Sequence, residues 1–106
     1  MARWVRVASD ADVPLGQSRG VTVEGKEIGL FNVEGDVFAM DNLCPHRGAP
    51  LSDGRMNGAH IVCPWHGWEF DVRRGGLVMD PNRCQKTYPV QKRGGEVFVD
   101  MGESAS

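Results

Sequence analysis

The chain has 106 residues, room for one domain rather than two. It is 41% apolar and 25% charged, the balance of an ordinary globular protein. The net charge of −2 argues against a basic nucleic-acid-binding surface and against a charge-driven disordered chain. No apolar run is long enough to span a membrane. The opening, MARWVRVASDADVPLG, holds neither an apolar signal core nor a twin-arginine pair, so the expected location is the cytoplasm. Three cysteines, at 44, 63 and 84, without a secretory signal argue against a disulfide framework. A domain of this size buries a limited core and often gains stability from a metal.

The first part of the chain reads as short strands separated by glycine turns. Trp4–Val7 is a strand, and Ser9–Val13 suggests a helical turn from a serine followed by acidic residues. Gly20–Val23 and Glu27–Asn32 flank the hairpin turn Glu24-Gly25-Lys26. Asn32–Val33 and Val37–Met40 flank a second turn, Glu34-Gly35-Asp36. The stretch Asp41–Val62 differs, with Pro45, Gly48, Pro50, Gly54 and Gly58 in quick succession. It reads as a long loop with little core of its own, ordered by something other than burial. Strands resume at Trp68–Val72, followed by a turn at Arg73–Gly76, then Thr87–Gln91 and, after Gly94-Gly95, Glu96–Asp100. The dominance of Val, Ile, Phe and Tyr and the even spacing predict an all-β sandwich or barrel. The predicted domain is 1–101, with its metal-binding part at about 41–83, and Met101–Ser106 reads as a frayed end.

Two runs carry the chemistry: CPHRG at Cys44–Gly48 and CPWHGW at Cys63–Trp68. Cys44-x-His46 and Cys63-x-x-His66 each pair a thiol with an imidazole, and sixteen residues lie between His46 and Cys63. Two thiolates and two imidazoles are the ligand set of a 2Fe-2S cluster in which two histidines replace two cysteines on one iron. Pro45 and Pro64 stiffen the turn after each cysteine. Gly48 and Gly67 let backbone N–H groups approach the sulfurs. The competing reading is a structural zinc module, since Cys₂His₂ is a common zinc set. Zinc sites favour C-x₂₋₄-C and H-x₃₋₅-H spacings, which are absent here.

The stretch Asp41–Gly76, with TYPV at Thr87–Val90 and GGEVFVD at Gly94–Asp100, resembles the Rieske iron–sulfur family. Its free-standing size is similar to the soluble ferredoxins of bacterial ring-hydroxylating dioxygenases, and also to the small subunit of NAD(P)H-dependent assimilatory nitrite reductase. The resemblance implies an antiparallel β fold with one cluster at a tip formed by two ligand loops. By motif match, Cys44 and Cys63 bind the inner iron, and His46 and His66 bind the outer, reducible one. Rieske proteins of respiratory complexes carry an extra cysteine in each ligand loop, absent here. They also place a serine and a tyrosine after the last histidine, where this chain has Trp68 and Phe70. Hydrogen bonds to cluster sulfurs raise the potential, so their loss predicts a midpoint near the bottom of the Rieske range, roughly −150 mV.

The family also places the free ring nitrogens of both histidines at a solvent-facing docking tip. The implied role is one-electron transfer with no bond made, so no residue is assigned as catalytic. Oxidised imidazole ligands would lose protons more readily, and the potential should fall at alkaline pH. The leading reading is a shuttle from an NAD(P)H-dependent flavin reductase to a terminal non-haem iron oxygenase; the alternative is a fixed nitrite reductase subunit. Arg47 reads equally as a steering charge or a solvated loop charge. Trp68 reads as core, with Trp65 nearer the tip. His60 reads as a non-ligand, Cys84 as a free structural thiol rather than a redox sensor and Tyr88 as core rather than an electron relay. Pro81 lies in Leu77–Gln85, a segment that in the family can fold over the cluster.

Overall fold

The computed structural model describes residues 2–44, 48–64 and 67–102. Among them the chain is all-β with two short 3-10 turns. The sequence opens with β1 (Trp4–Ser9), a turn at Asp10–Asp12, then β2 (Ser18–Val23), β3 (Lys26–Val33) and β4 (Asp36–Asp41). Val23 pairs with Lys26 and Val33 with Asp36, so each of these hairpins turns on two residues. The turn residues have positive φ throughout: Glu24 53° and Gly25 80°, Glu34 54° and Gly35 98°. This is the turn whose twist matches the strands, and its glycine carries the strained second position.

A five-stranded antiparallel sheet follows, in the order β5 (Arg55–Asn57), β6 (His60–Val62), β7 (Glu69–Asp71), β8 (Gly76–Leu77) and β9 (Asp80–Cys84). The chain then passes into β10 (Thr87–Tyr88), β11 (Val90–Arg93) and β12 (Glu96–Asp100). β10 joins the edge of a four-stranded sheet, β10-β4-β3-β2, and β11 joins β1 and β12 in a three-stranded sheet. The single strand expected at Thr87–Gln91 is therefore two. Pro89 stands at the break, where its missing N–H and fixed φ let the chain change sheets.

The four-stranded sheet is a wall between two cores. Along β3, Ile28 and Leu30 point into one apolar cluster with Ala8, Val13, Ala39, Val97 and Val99. Phe31, of opposite parity, points into the other with Met40, Leu51, Ile61, Phe70 and Val72. Alternation at period two thus buries both faces, and the strand reads as a continuous apolar run. The Cα partners Gly20 and Gly29 leave room beside this wall. A Cβ on Gly20 would lie 2.7 Å from Ser52 Oγ, and one on Gly29 would lie 2.6 Å from the Phe31 ring.

Two expectations change. The stretch Asp41–Val62 is not a loop lacking core: it contains a 3-10 turn at Leu51–Asp53 and two short strands, and Ala49, Leu51 and Ile61 are fully buried. Met101, read as the start of a frayed end, is buried, and its N–H donates to Arg3 O at 2.9 Å.

Candidate metal centre

Each cysteine run is a tight turn of the same construction. In the first, Cys44 N–H donates to Ala49 O at 2.8 Å and Gly48 N–H donates to Cys44 O at 2.7 Å. In the second, Cys63 N–H donates to Trp68 O at 2.6 Å and Gly67 N–H donates to Cys63 O at 3.2 Å. The turns are closed by the bridge Leu43↔Pro50 and the pair Val62↔Glu69. Gly48 and Gly67 stand at φ 73° and 75°, and a Cβ on either would meet nothing within 4 Å. Glycine is needed here for its backbone angle and not for space. Counted from the cysteine, both runs read C-P-x-x-G; this shared spacing signals the common turn, which the glycines' different distances from the histidines conceal.

The two turns come from different sheets and meet on one core. The first extends β4, and the second joins β6 to β7. Cys44 and Cys63 are 1% and 2% exposed and lie in the same apolar cluster, with Phe31, Met40, Phe70 and Leu77. Around the buried cysteines, Leu43, Gly48, Pro64 and Gly67 are exposed. His46 and His66, like Pro45, Arg47 and Trp65, lie outside the described residues. Among the described residues no group of three or more His, Cys, Asp or Glu converges as a metal set.

Polar contacts fix the base of the first turn. Asn42, 3% exposed, is bonded at every polar atom. Its N–H donates to Glu27 O at 3.0 Å and its carbonyl accepts from Leu51 N–H at 2.6 Å. Its Oδ1 accepts from Ser52 N–H at 2.7 Å, and its Nδ2 donates to Ser52 Oγ at 2.8 Å. Ser18 Oγ donates to Ser52 O at 2.8 Å. Separately, at the junction of β10 with β4 and not at this base, Tyr88 O–H donates to Asp41 Oδ1 at 2.6 Å; burial first, and then this bond, push the phenol well above its ordinary value. Near the second turn, a Cβ on Gly54 would sit 1.9 Å from Val62 O, so the chain leaving Leu51–Asp53 presses against the residue before Cys63. The Asn42 and Gly54 contacts have no sequence signature at the residue itself, because each depends on a partner beyond the turn that follows it.

Other expected residues fall as follows. His60 Nδ1 lies 2.6 Å from Glu69 Oε2. Tyr88 is core, 5% exposed. Trp68 is half-buried against the second cluster, while Phe70 is its fully buried aromatic. Cys84 is exposed on β9. The segment Leu77–Gln85 forms the β8–β9 hairpin within the five-stranded sheet. Asp71, at the end of β7, is partly buried, which opposes its charge. The Arg73 N–H and guanidinium hydrogen bonds outweigh burial and hold the carboxyl below its usual range.

A buried pair of thiols on two matched, glycine-closed turns, beside two histidine positions, has the donor chemistry of a histidine-ligated iron–sulfur protein. Residues 3–89 match the Rieske [2Fe-2S] domain model. The chain belongs to the Rieske [2Fe-2S] family and binds one 2Fe-2S cluster of that type. It is 43% identical to the ferredoxin component of a naphthalene 1,2-dioxygenase system from Pseudomonas aeruginosa, covering 93% of this chain and 96% of the relative. Among solved structures it is similar to a Sphingomonas yanoikuyae B1 ferredoxin, with TM-score 0.86 and 37% identity over 94% of this chain and all of the other. It is also similar to a chain in a complex of reduced oxygenase and oxidised ferredoxin of carbazole 1,9a-dioxygenase. That likeness has TM-score 0.85 and 28% identity, over 97% of each chain. Among the described residues no helix is long and apolar enough to cross a membrane.

Proposed function

We propose that this chain is a ferredoxin component that accepts one electron from an NAD(P)H-dependent flavin reductase and delivers it to a terminal non-haem iron oxygenase in the cytoplasm. The observation that carries the proposal is the pair of equivalently bonded turns that bring Cys44 and Cys63 to one apolar core, with the flanking Leu43, Gly48, Pro64 and Gly67 exposed. Near full-length similarity to a dioxygenase ferredoxin component supports it. When bound, the cluster supplies a one-electron couple.

The residues of the chain hold and shield that couple. Cys44 and Cys63 are assigned as ligands from the buried side, His46 and His66 as ligands from the outer side. Phe31, Met40, Leu51, Ile61, Phe70 and Leu77 exclude water beneath the thiols. The exposed Leu43, Gly48, Pro64 and Gly67, which flank the two histidine positions in sequence, are assigned to the surface on which either partner docks.

Stopped-flow mixing tests the proposal. Chemically reduced protein mixed anaerobically with an oxidised aromatic-ring dioxygenase should recover its oxidised visible spectrum at a rate that rises with oxygenase concentration. A recovery rate indifferent to the oxygenase, or one produced only by a sirohaem nitrite reductase, contradicts it.

A further inference from the structure

We propose that Gln85 is a positioning residue that locks the two cysteine turns to one another and so sets the geometry of the ligand set without being a ligand. The inference rests on the assignment of Cys44 and Cys63 as ligands. These cysteines are carried by different sheets, so something must fix one sheet against the other at this end. Gln85 lies where the chain leaves β9, in the sheet carrying the Cys63 turn, and heads for β10, in the sheet carrying the Cys44 turn.

Gln85 is 9% exposed, one of the buried polar residues of the chain, and a buried amide persists only where its hydrogen bonds are made. Its Nε2 donates to Leu43 O at 2.7 Å and to Asp41 O at 3.1 Å. Leu43 is the residue before Cys44, so the amide grips the foot of the first turn. On the other side, Gln85 N–H donates to Gly75 O at 2.7 Å. Gly75 closes the turn that follows β7, the strand leaving the Cys63 turn, and its N–H donates to Asp71 O at 2.6 Å. The approach is close enough that a Cβ on Gly75 would lie 2.2 Å from Gln85 O. One residue thus bonds to the supports of both turns.

The neighbouring contacts show what is particular to this side chain. The junction of β10 with β4 is already held by Asp41 N–H to Lys86 O at 2.8 Å and by the Tyr88 hydroxyl on the Asp41 carboxylate. Removing the Gln85 amide therefore leaves the sheet joined and takes away the tie from the foot of the first turn to the supports of the second, while the Asn42 bonds and the Leu43↔Pro50 bridge remain. Removing the Tyr88 hydroxyl weakens the sheet junction and leaves that foot held.

The test compares holoprotein of the native sequence with Gln85→Met, which keeps side-chain length, Gln85→Glu, which keeps shape without the N–H donors, and Tyr88→Phe. Three quantities are read: thermal midpoint, half-life of the visible cluster absorbance at elevated temperature, and g-values of the reduced protein. Both Gln85 variants should show shifted, broadened g-values and a cluster half-life shortened about tenfold. Tyr88→Phe should lower the thermal midpoint with native g-values and native half-life. Native g-values and half-life in the Gln85 variants overturn the proposal, as does a Tyr88→Phe protein that reproduces their changes. Should Gln85→Met not fold, Gln85→Glu carries the same comparison. Failure of the underlying ligand assignment is distinct: Cys44→Ala and Cys63→Ala, made alongside, would then keep the cluster.

Discussion

Gly67 and Gly48 do the same work in the two turns, and what they contribute is a backbone angle. Each sits at positive φ with open space where a side chain would project. An alanine there meets no neighbour, so its cost is that of the left-handed conformation, about 1–2 kcal/mol. Asparagine tolerates this conformation through local hydrogen bonding. We therefore expect Gly67→Ala to lower the denaturation midpoint clearly and Gly67→Asn to lower it less, measured by chemical unfolding of the holoprotein. Equal losses would mean that the position is limited by space. Gly54 is the opposite case, since a Cβ there would overlap Val62 O and force backbone movement beside Cys63. This difference between two glycines is invisible in the sequence, where both are simply loop residues.

At the scale of elements, the short strand β10 is held by Tyr88, whose phenol is raised above its ordinary value by burial and then by its hydrogen bond to Asp41. A group whose folded pKa exceeds its unfolded one, about 10 for tyrosine, adds stability that is fully present below the unfolded value. That stability is lost as pH rises through the folded value. Stability should therefore begin to fall above about pH 10. In Tyr88→Phe that part of the alkaline loss should vanish, although the variant starts less stable. Urea titrations from neutral to strongly alkaline pH check this; an unchanged slope in the variant contradicts it. The hairpins around Glu24-Gly25 and Glu34-Gly35 were legible from sequence because a two-residue turn with a glycine is a local signal. Strands β5 and β6 were not, because three residues give too little alternation and glycines and prolines surround them. The change of sheet at Pro89 had a signal, the proline inside a strand-like run, that the pattern of Thr87–Gln91 outweighed.

For the whole molecule, the proposed function depends on two sheets offering matching turns to one core. The family and its cluster type were legible, since thiols and imidazoles at fixed steps announce a cluster. The supports were not: Gln85 reaches Leu43 across 42 positions, and nothing local marks such a partner. The structure also strengthens the expectation of a low potential. The floor under Cys44 and Cys63 is apolar, with Phe70 fully buried in it, and an apolar surrounding disfavours the extra negative charge of the reduced state. The most direct test is a potentiometric titration of the purified protein followed by electron paramagnetic resonance. One electron per chain should be taken up with a midpoint near roughly −150 mV, producing the signal of a histidine-ligated 2Fe-2S centre. A reduced protein with no such signal, or a midpoint well above zero, would contradict the account.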